Sequence, residues 1–239
     1  VNQLKKATSD NTVTTENTNI VIQTYMDMTI TGVDASSEKK TITVDIQPMY
    51  RTVATTADVK NGGEIVLKGA GSNVVNAVQI GNPQKLAVSG ETTVSIQLPT
   101  GFVTDATAKI FVQHKGYEYE ATVTKDNASV YTATFTNPHG FSPFTISMTS
   151  QAVAQIGETK YTSLQDAVNA VENNGTIKIV GGNKDYTATI SGSSKTIKVK
   201  NSLTDEIKVT VNGESKTIKT SEDATFTYTK PSSGSSGGS

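Results

Sequence analysis

Cysteine and tryptophan are both absent from this 239-residue chain. Without cysteine there is neither a disulfide framework nor a thiolate metal site, so stability has to come from packing. Histidine occurs only at His114 and His139, far apart and outside the H-x-x-x-H type of spacing that sets two imidazoles on one metal, so no metal site is expected. Charge of one sign is also missing. The 22 acidic residues nearly balance the 21 basic ones and are interspersed with them, which leaves no run of Lys and Arg of the kind that binds nucleic acid or an anionic membrane. No apolar stretch approaches the roughly 20 residues that cross a bilayer, and no charged-then-apolar leader is visible at Val1.

Motifs that carry chemistry are equally scarce. No G-x-x-x-x-G-K-[ST] occurs, and Gly69-Ala70-Gly71 and Gly181-Gly182 follow expected strands without opening a helix, so phosphate binding has no support. The closest carboxylate pairs, Glu118/Glu120 and Asp205/Glu206, read as solvated strand and turn residues. A glycosidase would need two carboxylates about 5 to 10 Å apart across a cleft, and the aromatic platforms that hold sugars are few here. The chain is therefore expected to be non-enzymatic, with no catalytic, cofactor-binding or metal-binding residue and no cofactor.

What the chain has in quantity is threonine and short alternating apolar segments. Threonine suits half-exposed strands, because its branched Cβ favours extended backbone and its hydroxyl tolerates water. From Thr18 onward Ile20, Ile22, Met26, Met28 and Ile30 alternate with polar residues, a period of two that predicts a strand with one face buried. Lys40–Ile46 repeats the alternation after a polar loop at 34–39, and Pro48 is expected to end that strand or confine it to an edge. Further strands are expected at 64–68, 76–80, 86–88, 92–98, 108–113, 118–124, 129–136 and 144–148, separated by turn residues such as Asn61-Gly62-Gly63 and Lys125-Asp126-Asn127. Strands at this cadence predict an antiparallel β-sandwich.

One segment departs from the strand period. Thr162 followed three residues later by Gln165 reads as a capping box, and Leu164, Ala167, Val168 and Val171 recur at i, i+3, i+4 and i+7. A helix over about 163–174 is expected, ended by Asn173-Asn174-Gly175 and followed by a β-branched strand at 176–180. Short strands follow at 186–191, 196–200, 207–211, 215–219 and 225–229, with Asn212-Gly213 the strongest hairpin signal in the chain. A helix over short strands is also how a pectate-lyase-like β-helix is capped, with room after it for about two coils of 20 to 25 residues. The Asn-Gly hairpin interrupts such a repeat, so a compact α+β domain is the expectation.

The fold class is thus mainly β: a flexible leader at 1–17, an antiparallel β-sandwich at 18–149, a small α+β domain at 150–230 and a Gly/Ser linker or tag at 231–239. Two segments carry a resemblance to a family. The run Ile156-Gly157, Tyr161, Leu164-Gln165-Asp166-Ala167-Val168 and Gly175-Thr176-Ile177 resembles modules that recur in repetitive, wall-attached surface proteins of Gram-positive gut bacteria. The strand VSIQLPTGF, the strand ending at His114 and the closing Phe141-Ser142-Pro143-Phe144-Thr145-Ile146 resemble another segment of such proteins, with Pro143 departing from the usual small hydroxyl residue. The resemblance implies an extracellular, cell-surface location and a structural or adhesive role, with an excised ectodomain fragment as the form of this chain. The leading expectation is a spacer and display surface; the alternative, which the architecture permits, is a module that binds a specific host protein, a glycoprotein such as mucin or an immunoglobulin. A monomer is expected, without nucleic acid or membrane insertion. For contact with such a partner, His114, Tyr117 and Tyr119 on one hairpin are the candidates, since tyrosine is enriched in binding surfaces. The competing reading of the same residues is that they fill or rim a core.

Overall fold

The computed structural model of the chain describes residues 19–34, 40–55, 58–59, 65–66, 77–141 and 143–231. The expected leader, most of the loop at 34–39, the turn at 61–63, Gly69-Ala70-Gly71 and the linker from 232 lie outside the described residues. Within them the chain is mainly β, with one helix. Contacts divide the described residues into two units, one drawn from Val1–Thr31, Val44–Glu91 and Pro138–Pro143, the other from Gly32–Thr43, Thr92–Asn137 and Phe144–Ser239.

Two long strands come first, β1 (Asn19–Asp34) and β2 (Thr41–Thr55), hydrogen-bonded neighbours of which Asn19–Thr31 and Val44–Thr55 belong to the first unit. A short pair, β3 (Asp58–Val59) and β4 (Ile65–Val66), precedes β5 (Ala77–Lys85), which returns antiparallel along β2. Two expectations are corrected here. Pro48 does not end β2: its carbonyl accepts from the Leu86 amide at 2.9 Å, and the strand continues with a register shift between Tyr50 and Thr52. A proline costs a ladder only its own missing donor, and a bulge absorbs the irregularity. The strand expected at 76–80 is β5, which runs on through Gly81, Asn82 and Pro83 to Lys85, whereas residues 86–88, also expected as a strand, are not in one. The alternation in β1 does make a strand, but its apolar side chains are not buried; Ile22 is 61% and Ile30 57% exposed.

The second unit begins with β6 (Thr92–Gln97), β7 (Ile110–His114), β8 (Tyr117–Lys125), β9 (Tyr131–Asn137) and β10 (Pro143–Ser147). β8 serves two ladders: its first half pairs with β7, its second half with β9, and β9 pairs with β6. The turn expected at 125–127 is present, held by Asp126 Oδ1 accepting from the Ala128 and Val130 amides, but the left-handed residue is Ser129. Closing strand β10 starts at Pro143, a position where a missing N–H is harmless.

Next come β11 (Ala154–Ile156), β12 (Thr159–Tyr161), the helix α1 (Leu164–Ala170), β13 (Thr176–Ile179), β14 (Asp185–Ala188), β15 (Lys195–Asn201), β16 (Ile207–Val211), β17 (Glu214–Ile218) and β18 (Asp223–Tyr228). β12 pairs with β8, Lys160 opposite Glu118 and Tyr161 opposite Tyr117, so backbone pairing crosses the boundary expected at 149/150. The helix is shorter than expected and its cap lies one residue later. Ser163 is the N-cap and accepts from the Asp166 amide at 3.0 Å, while Thr162 is engaged by the Gly116 carbonyl through both its amide and its hydroxyl. Gln165, expected to close the cap, instead pairs with both backbone groups of Thr189. The helix stops at Ala170 because Val171 is extended and turns its side chain into the core, and Asn174 then takes the left-handed conformation. Gly116 has φ +82, and a Cβ there would lie 2.7 Å from the Asp166 carboxylate, so the β7–β8 turn requires glycine on both counts.

From β13 onward the chain coils. Thr176 lies opposite Lys198 on a parallel neighbour, and Asp185 opposite Lys208 on another, offsets of 22 and 23 residues. This is the parallel stacking of successive coils that a β-helix makes, with α1 over the core. It stops after two coils, where Asn212 and Gly213, both at positive φ, reverse the chain into antiparallel β17, and β18 then closes antiparallel on β15. The stripe Leu164, Ala167, Val168 and Val171 packs on Ile177, Ile179, Ile197, Val199, Val209 and Phe226 in one cluster.

Asn201 is fully buried where β15 ends. Its side-chain amide donates to the carbonyls of Asp205 and Ile218, and its carbonyl accepts from the Leu203 amide at 2.9 Å. Asn212 does the same for both backbone groups of Ile190. Asn201→Ala is expected to leave those groups unsatisfied and destabilise the chain by about 3 kcal/mol, read as a lower urea midpoint with unchanged m-value.

Candidate functional site

The β7–β8 hairpin projects residues alternately to two faces, and the two faces have opposite characters. On one, His114 is only 2% exposed and stacks on Phe144 with ring centroids 3.9 Å apart and planes 13° from parallel. Half-buried Tyr119 stacks on Phe135 and donates its hydroxyl to Asn137 Oδ1 at 3.3 Å. Tyr117 lies 5.2 Å from the Tyr161 ring and packs against the helix core. Of the three side chains offered as a recognition patch, His114 is buried, and Tyr117 and Tyr119 are half-buried against Tyr161 and Phe135. His139, the other histidine, is half-buried in the loop before β10.

On the opposite face stands Glu118, expected to be solvated and in fact 5% exposed. Its carboxylate accepts from the Ser150 hydroxyl at 2.5 Å, the Gln151 amide at 2.6 Å and the Gln113 side-chain amide at 3.0 Å. Three donors from two other segments make removal of the charge from water tolerable. Gln113 also donates to Ser147, whose hydroxyl donates to the Thr149 carbonyl, and Ser150 Oγ accepts from the Ala152 amide. Glu120, two residues on, is the solvated one, 3.5 Å from Lys109.

Gln113, Ser150 and Gln151 form one wall of a cleft of about 600 Å³, completed by Thr145, Thr162 and the Val180–Gly182 turn. Its lining offers amides and hydroxyls. The Ser150 hydroxyl donates to a carboxylate already holding two other donors, and the imidazole on the hairpin is stacked on Phe144. A second cleft of about 690 Å³, lined by Asn183, Ser202 and Thr204, is bridged by Lys184 and Asp205 at 3.7 Å. Among the described residues no group of three His, Cys, Asp or Glu side chains is placed to hold a metal ion. Glu118 is the residue that sequence reasoning misplaced. Its neighbours in sequence alternate correctly, but nothing local signals that the 150–151 segment will close over it.

No protein-family model, curated protein or solved structure matches the chain.

Burial holds the Tyr119 phenol well above tyrosine's ordinary value of 10, and the neighbouring Tyr117 adds to the effect. Burial also raises Tyr161, again with Tyr117 contributing, and Tyr186. A phenol whose folded value lies above its unfolded one binds its proton more tightly when folded, so this stability is complete below pH 10 and is lost as pH rises through the folded values. The unfolding midpoint is expected to fall above pH 10, with tyrosinate absorbance in the folded chain continuing to grow there. Glu118→Gln, which sets an amide against one of its donors, is expected to cost about 2–3 kcal/mol and to speed hydrogen exchange at the Gln151 amide.

Proposed function

We propose that this chain is a non-enzymatic structural and adhesive module of a bacterial cell-surface protein, an antiparallel β-sandwich followed by a small α+β part, acting as spacer and display surface. The observation that carries this reading is the employment of the residues behind the resemblance. Gly157 makes the β11–β12 turn at φ +57, while Tyr161, Leu164, Ala167, Val168 and Ile177 are core. A motif made of turn and core residues serves architecture. The buried polar groups Glu118 and Asn201 point the same way, and so does the exposed Asn212, since all three spend their hydrogen bonds joining one segment of chain to another. Antibodies raised against the purified chain should label intact producing cells; labelling that appears only after the cells are permeabilised would refute the surface location.

A second reading, a specific binder of a host protein such as an immunoglobulin or a mucin, is favoured by one observation. β1 presents Ile20, Ile22, Met26, Met28 and Ile30 on one side, each more than two-fifths exposed, a larger apolar row than a solvated strand ordinarily carries. Retention of one defined host protein from secretions at physiological salt, lost in Ile22→Lys, would favour the binder over the spacer.

A further inference from the structure

Lysines scattered through the sequence converge on one face of the sheet formed by β12, β11, β13, β15 and β18. Register places Lys160 opposite Gln155, Gln155 opposite Lys178, Lys178 opposite Lys200, and Lys200 opposite Asp223. Paired residues share a face, and here it is the outer one, because the alternate residues Tyr161, Ala154, Ile177, Ile179, Val199 and Phe226 are all buried. Lys198, one step along β15, joins the row between Thr176 and Thr225. Adjacent strands are about 4.8 Å apart, so the four lysines leave the backbone within about 15 Å of one another. Among the described residues Lys198 is the one of the four within ion-pair distance of a carboxylate, Asp223 at 3.9 Å, while register sets Glu118 opposite Lys160 and Asp223 opposite Lys200. Lys178 and Lys200 face each other directly, an arrangement of like charges that destabilises a sheet unless something anionic lies across it.

We propose that this face binds a linear anionic polysaccharide laid across the strands. The ligand class follows from the chemistry of the face. Charge spaced over several strands matches charge repeated along a polymer. Between the lysines stand Thr176, Thr196, Thr225, Thr227 and Gln155, hydroxyl and amide groups suited to sugar hydroxyls and ester oxygens. No aromatic ring and no arginine lies on this face, which withholds the stacking platforms and bidentate contacts typical of nucleic-acid binding. The inference does not depend on where the protein resides, since it concerns the purified chain.

Binding of the 239-residue chain to dextran sulfate, polygalacturonate, neutral dextran and single-stranded DNA of matched charge density tests it. Sulfated or carboxylated polymer should bind, the stronger of the two naming the anionic group, with neutral dextran inert and affinity falling steeply with salt. Lys178→Thr combined with Lys200→Thr should weaken binding at least tenfold and lower the slope of log affinity against log salt by about two, one unit for each lost contact. Threonine keeps the strand preference and removes the repulsion, so without ligand the double variant should melt at the same temperature or higher. Lys208→Thr with Lys219→Thr, an equal loss of charge on exposed positions elsewhere, should bind as the unmodified chain does. The proposal is overturned if neither polyanion binds, if both double variants lose affinity equally, or if DNA binds more tightly than either polysaccharide.

Discussion

A carboxylate taken out of water has to be met by donors, and at Glu118 they come from segments far apart in the chain: Gln113 on the preceding strand, and Ser150 and Gln151 from the connection after β10. Much of the second unit depends on this closure. By fixing residues 150–151 over β8, it delivers the chain to β11 in position for β12 to pair with β8 and for Thr162 to reach Gly116. The helix cap then forms against a turn that has room for it only because Gly116 lacks a side chain. Removing one partner of such a buried, charge-assisted group costs more than forming it contributed, because the remainder is left buried without water.

The coiled part is held by a different device. At three places around the coils asparagine side chains take backbone groups that lack a ladder partner: Asn173 for Thr196, Asn201 for Leu203 and Ile218, Asn212 for Ile190. Asparagine suits the task because one side chain carries both donor and acceptor, as a peptide group does. Between the corners, alternation sends isoleucine and valine inward and lysine and threonine outward, so the packing that stabilises the coils also assembles the lysine row on their outer surface.

Much of the local structure was legible in the sequence. The apolar stripe from Leu164 to Val171, the five strands after Val180 and the Asn212-Gly213 reversal depend on periods and turn residues within a few positions of one another. The cap was misread by one residue because Thr162 and Ser163 are equally able to cap a helix, and the choice between them was made by the Gly116 carbonyl, 46 positions away in the chain. For the same reason Glu118 looked solvated, and His114, Tyr117 and Tyr119 could be read either as core or rim residues or as an exposed patch. Their exposure is set by what closes over each face of the hairpin, which a period of two does not encode.

Sequence alone determined most of the residues that extend or coil, and which side of each strand is apolar, since these follow from backbone sterics and nearest neighbours. Tertiary structure decided which strands lie side by side and in what register. Parallel pairing at offsets of 22 and 23 residues, the burial of a carboxylate and the convergence of Lys160, Lys178, Lys198 and Lys200 all arise from that choice. A balanced net charge conceals such a cluster because composition sums over the chain, whereas electrostatic attraction acts over a few ångströms between residues that only the fold makes neighbours.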